Sequence, residues 1–173
     1  DNQPAAGEET SYTEALAQAV TKFQVMNDIS NTGAIGSQTW SALFNDSAKV
    51  MVSDAEYEQA LADYEARKTQ RAEAKEQMDQ LTIKASSTAS KGAMNLTWSS
   101  SSAVLDINSV QIDGYELWKS TSKSSGWQLL KSTTGKKFKN TSNIKKGTRC
   151  YYKVRAYREI GGQKIYSPWS NVT

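Results

Sequence analysis

Two side-chain amides, Gln24 and Asn27, stand one helical step apart, and Trp40 follows them across a stretch that contains Gly33 and Gly36. Amides next to an indole suit reversible recognition of a polar ligand, because they offer paired donors and acceptors beside an apolar ring. The same amides could instead cap or bridge the loop. Further along, Trp118, Trp127 and Trp169, with Tyr157 and Tyr166, provide rings that can stack on sugars or shield the stems of neighbouring lysines. Lys136, Lys137, Lys139, Lys145 and Lys146 are expected to cluster in two loops between these aromatics. Such clusters attract polyanions, and they also serve as solubilising surface charge.

Covalent and metal chemistry has little to work with. Histidine is absent and Cys150 is the only cysteine, so a Ser–His or Cys–His nucleophile and an internal disulfide are excluded, and His- or Cys-based zinc sites lack their ligands. In the C-terminal part the carboxylates are Asp106, Asp113, Glu116 and Glu159. Carboxylate chemistry, a Ser–Lys pair or no chemistry remain, and the spacing of these carboxylates suggests no acid and base pair. The expectation is a protein that binds and is not an enzyme, with no cofactor and no metal.

The elements that must position these groups follow from charge and periodicity. Residues 1–52 carry 2 Lys/Arg and 6 Asp/Glu, residues 53–80 carry 4 and 8, and residues 81–173 carry 15 and 4. Net charge therefore changes from −4 and −4 to +11 at residue 81, where Ala, Glu and Gln also give way to Ser, Thr, Lys and aromatics. This predicts a multi-domain chain with a disordered tail over 1–10, a small all-α module over 11–50, a helical connector over 51–80 and an all-β domain over 81–173. No apolar run is long enough to span a bilayer.

Leu16, Ala19, Val20 and Phe23 form one stripe of a helix over 13–27, with Ser11 and Glu14 in capping-box spacing. A second short helix over 37–44 places Trp40, Leu43 and Phe44 on one side. Phe23, Ile35, Trp40 and Leu43 are expected to pack as core. Ser53 and Glu56 repeat the capping-box spacing at the start of a helix over 53–80 that contains neither Gly nor Pro. Tyr57, Leu61 and Tyr64 are expected to cover the short helices, and the second half of the long helix to be a solvated spacer.

From residue 81 the period becomes two. Strands are predicted over 81–85, 94–98, 114–120, 127–132, 138–141, 150–158 and 164–172, separated by Ser-, Gly- and Lys-rich turns. Seven short strands over this length predict a two-sheet sandwich. In the sixth, Cys150, Tyr152, Val154 and Ala156 are expected to face inward, alternating with Tyr151, Lys153, Arg155 and Tyr157.

The residues Ala19, Val20, Phe23, Gln24, Asn27, Ile29, Gly33, Ile35, Gly36, Thr39, Trp40 and Leu43 have the spacing of the peptidoglycan-binding-domain-1 family, which residues 11–44 resemble. Asp28 stands where that family has glycine, Ser37 stands where it has proline, and its preceding helix is missing. The C-terminal part resembles a fibronectin type III domain, an immunoglobulin-like sandwich, through Leu96, Thr97 and Trp98, Gly114 to Leu117, and Gly147 leading into Tyr152 to Ala156. Its tyrosine-corner position holds Cys150, so either Tyr151 substitutes or the corner is absent. Together these resemblances imply an extracellular bacterial protein of the cell wall that recognises peptidoglycan or another wall glycan. Gln24, Asn27 and Trp40 would be the contacts, and the β domain a spacer or second adhesive surface. Anionic wall polymers are a further expected partner; specific nucleic acid and a membrane span are not expected. Two alternatives are an interaction module whose helical segment mediates oligomerisation or partner binding, and an accessory fragment of a cell-wall hydrolase.

Overall fold

A computed structural model describes residues 6–50, 53–142, 144 and 147–173, with side chains from residue 13 onward. The chain divides into two compact units, one ending at Thr69 and the other spanning Gln70–Thr173. The division falls inside a helix and not at residue 80, because the last turns of that helix share the β core.

In the first unit, α1 spans Ala6–Met26, α2 spans Ser37–Leu43, and α3 begins at Asp54 and runs to Asp79. Helix α1 starts within the expected tail, and Ser11 lies inside it, so Ser11 is not the cap. The Ala and Glu residues ahead of it are good helix formers and extend the helix backwards. The second capping box forms as expected: the Glu56 amide donates to Ser53 Oγ at 3.3 Å, and Ser53 Oγ donates to the Glu56 carboxylate at 2.8 Å.

The core of this unit differs from the expected one. Val25 and Gln24 of α1 and Thr39 of α2 are buried, whereas Ile35, Trp40 and Leu43 are 52, 58 and 46% exposed. Helix α2 is a single short helix that seats by Thr39, its one buried residue, and this turns its aromatic side to solvent. Gly33 has φ +70°, and a Cβ there would meet Thr21 Oγ1 at 3.1 Å, so the loop passes close against α1. Gly36 is extended, with φ −98°, and is the N-cap of α2. The left-handed residue ahead of the loop is Asp28, with φ 53°, at the position where the peptidoglycan-binding family has glycine. Arg67 Nε lies 3.2 Å from Asp28 Oδ1, an ion pair without hydrogen-bond alignment. Tyr64 is buried, and its hydroxyl donates to Asn31 Oδ1 at 3.0 Å, while Tyr57 and Leu61 are half-buried. The first part of α3 thus covers the loop.

The second unit is a β-sandwich: β1 (Leu81–Ser90), β2 (Ala93–Ser102) and β5 (Lys137–Asn140) form one sheet in the order β1-β2-β5. Strands β3 (Gly114–Ser120), β4 (Gln128–Thr133), β6 (Tyr151–Ile160) and β7 (Gln163–Tyr166) form the other, in the order β4-β3-β6-β7. All pairings are antiparallel. Three plus four antiparallel strands in this order make a sandwich like those of immunoglobulin and fibronectin type III domains. Tyr152, Val154 and Ala156 are buried at 1, 2 and 0% exposure and pack with Leu81, Ile83, Leu96, Trp98 and Leu117. Cys150 packs partly buried at the edge of this core. The buried phenol of β6 is Tyr152, not Tyr151, and its hydroxyl accepts from Asn140 Nδ2 at 3.1 Å.

The second half of α3 is not a solvated spacer. Ala74 and Met78 are fully buried within the sandwich core, and Arg71 Nε donates to the Ile160 carbonyl at 3.2 Å. Spacing explains this, since 71, 74 and 78 form one helical stripe that continues into Leu81 of β1.

Candidate functional surfaces

Each unit carries its own candidate surface. In the helical unit Gln24 is 1% exposed. Its Nε2 donates to the Ala34 carbonyl and to Thr39 Oγ1, both at 2.8 Å, and its Oε1 accepts from the Gly33 amide at 3.0 Å. Asn27 Nδ2 donates to the Phe23 and Lys49 carbonyls at 2.9 Å, and Asn27 Oδ1 accepts from the Lys49 amide at 2.8 Å. These amides use their hydrogen-bonding capacity to pin the loop and the segment after α2. Groups engaged in this way are costly to free for a ligand, most of all those of the buried Gln24.

Trp40 is the member of the predicted trio that faces outward. It meets Phe44 edge to face, with centroids 5.3 Å apart, and Phe44 is 74% exposed. Ile35 and Leu43 extend this apolar area, and no charged residue occurs between Asp28 and Asp46. An exposed aromatic and aliphatic surface on a stretch without charged residues suits contact with an uncharged ligand or an apolar partner.

On the sandwich, the outward face of β3, β6 and β7 brings Trp118, Trp127 and Trp169 together. The Lys153 ammonium lies 4.5 Å from the Trp127 ring and 4.0 Å from the Trp169 ring. The Arg155 guanidinium lies 3.4, 4.5 and 5.7 Å from the rings of Tyr166, Trp169 and Trp118. Lys164 sits 4.3 Å over Tyr157. Cations and rings thus alternate along the face, each ring lending its negative face to a neighbouring charge. Trp118 and Trp169 also meet nearly perpendicular, at 5.8 Å.

Glu116 anchors this ladder. Its carboxylate is nearly buried and accepts from Arg155 Nε and Nη2 at 3.1 and 2.8 Å, Tyr166 hydroxyl at 3.0 Å, Lys164 Nζ at 3.3 Å and Trp118 Nε1 at 3.3 Å. Burial pushes the carboxyl pKa up, but the bonds from Arg155, Trp118 and Tyr166 outweigh it and hold the group below the usual range. Burial, then the same carboxylate, raises the Tyr166 phenol. Lys164 is raised because its bond to Glu116 and the charge there outweigh burial. Lys153 is lowered by burial between rings and then by Arg155.

Sequence reasoning singled out the three tryptophans but missed Glu116, Lys153, Arg155 and Lys164 as their partners. The signal was available in part: Lys153 and Arg155 alternate outward on one strand, and Glu116 and Trp118 alternate on another. Only the register, with Glu116 opposite Arg155 and Trp118 opposite Lys153, joins them. Lys136 and Lys137 are exposed; Lys137 and Lys139 lie on β5 and not in a loop. Lys145 and Lys146 lie outside the described residues. Asp113 accepts from the Glu159 amide at 2.7 Å and from Gln111 at 3.0 Å, which makes it a turn-holding residue. Among the described residues no group of His, Cys, Asp and Glu has a metal-holding arrangement, and no helix is long and apolar enough to cross a membrane.

No protein-family model matches the chain, and no curated protein matches it. Solved structures do. Pectate lyase PelI from Erwinia chrysanthemi is 14% identical with a TM-score of 0.40, over 53% of this chain and 26% of that one. A Fn3-like protein from Clostridium thermocellum is 21% identical with a TM-score of 0.38, over 52% and 81%. Domains of titin are 21% identical with a TM-score of 0.34, over 53% and 29%. This chain spans about a quarter of the pectate lyases it matches. The expectation that the chain is not an enzyme is corrected by the same finding: three of the matched chains are lyases, so no exclusion of catalysis is retained.

Proposed function

We propose that this chain is an extracellular, cell-wall-associated bacterial protein that recognises peptidoglycan through its helical unit, with Trp40 and Phe44 as the contact surface. The observation that carries this reading is the exposure of these two rings on a segment, 29–45, that carries no charged residue. N-acetylated sugar chains present apolar ring faces flanked by amides and hydroxyls, and an indole edged by Ser, Thr, Asn and Gln complements both. The motif residues of 11–44 supply the resemblance to peptidoglycan-binding modules. Gln24 and Asn27 support the surface from beneath by fixing the loop and the residues after α2.

Sedimentation with insoluble peptidoglycan tests the reading. Trp40→Ala and Phe44→Ala remove exposed rings, so folding is expected to persist, and retention is expected to fall at least tenfold in the double variant. Unchanged retention would remove the basis of the proposal.

A second reading rests on Ile35 and Leu43, whose exposed aliphatic chains favour a protein partner or a second copy. Light scattering separates the two. A dimer that dissociates on Trp40→Ala, without glycan retention in the parent chain, supports the second reading.

A further inference from the structure

The two faces of the sandwich use their cations differently. On the four-stranded sheet Arg155 and Lys164 bond to Glu116, and Lys153 is held between rings. On the three-stranded sheet Lys84, Lys137 and Lys139 are exposed, and no ion pair to them is found among the described residues. Strands β1, β2 and β5 contain no acidic residue. From 82 to 88, 95 to 101 and 137 to 139, the outward positions carry only Thr, Ser, Asn and Lys.

Register turns these residues into a lattice. Thr97 pairs with Lys137 and Asn95 with Lys139, while Ser99 pairs with Lys84 on the other side of β2. Lys137 and Lys139 are successive outward residues, about 7 Å apart along the strand, and Lys84 lies two strands away, roughly 10 Å across. Thr97 and Ser99 present hydroxyls between them. The result is a cationic track crossed by hydrogen-bond donors.

We infer that this face binds a linear aliphatic phosphodiester polymer, with Lys84, Lys137 and Lys139 neutralising phosphates and Thr97 and Ser99 donating to their oxygens. Charge complementarity selects a polyanion. Every cation here is a lysine, a compact point charge that meets a phosphate oxygen without the bidentate geometry of an arginine fork. The face carries no outward aromatic ring, so it offers nothing for a base or a sugar ring to stack on. A polyol-phosphate chain needs neither. This surface lies apart in sequence and chemistry from the Trp40 surface, and the inference does not rest on glycan recognition.

The test is titration of the full chain with poly(glycerol phosphate) at several salt concentrations, compared with the variant Lys84→Gln, Lys137→Gln, Lys139→Gln. A charge-matched control replaces Lys49, Lys123 and Lys131 by Gln. The first variant is expected to bind at least tenfold more weakly, with the slope of log affinity against log salt reduced by about 2 for three lost phosphate contacts. The control is expected to stay within twofold of the parent. Equal loss in both variants, absent binding by the parent, or equally tight binding of duplex DNA or alginate would each overturn the inference. Retention on peptidoglycan stripped of anionic polymers, measured in parallel, distinguishes failure here from failure of the Trp40 surface.

Discussion

Arg155 donates two hydrogen bonds to a single oxygen of Glu116 across the β3 and β6 pair, through Nε at 3.1 Å and Nη2 at 2.8 Å. This partly buried charge contact organises the centre of the aromatic face, because the same guanidinium lies over Tyr166 and Trp169.

Its loss is expected to be pH-dependent. The Glu116 carboxyl is held below its usual value in the folded chain, so it contributes stability that is present above the unfolded pKa, near 4.3, and is lost as pH falls through the folded one. Glu116→Gln is expected to cost about 1.5–3 kcal/mol at pH 7 and to flatten the stability profile below about pH 4.5. Denaturant melts of both chains between pH 7 and pH 3 check this. A constant difference across that range would show that Glu116 does not carry the acid limb.

Gln24 pins the loop between α1 and α2. Gln24→Ala removes the partner of the Gly33 amide and of the Thr39 hydroxyl, while the Ala34 carbonyl keeps the Gly36 amide, and is expected to destabilise the helical unit by about 2 kcal/mol. Amide hydrogen exchange at Gly33 reports the loss directly. If stability holds while glycan retention falls, Gln24 is a ligand contact after all.

Met78 tests the assignment of the end of α3 to the sandwich. Met78→Ala should open a cavity in the β core and cost about 2–5 kcal/mol. Lys75→Ala, at an exposed position paired with Asp79, should change stability by less than about 1 kcal/mol. Equal small effects in thermal melts would return the segment to the role of a solvated spacer.

Local patterns determined much of this protein. Alternation placed Tyr152, Val154 and Ala156 inside, and each of the seven predicted strands exists, because a strand buried on one face writes that face into every second residue. The Ser53 and Glu56 cap could be read for the same reason: its partners are neighbours in the chain. What the tertiary structure alone decided are relations between distant residues. Trp40 and Leu43 have the spacing of a packed stripe, yet they face solvent because Thr39 met Gln24. Ala74 and Met78 looked like parts of a polar helix until the sandwich formed around them. Glu116, Arg155 and Lys153 became one array only when register set them side by side, and Lys84 joined Lys137 only across an intervening strand. Periodicity records whether a side chain is covered, but it does not record what covers it.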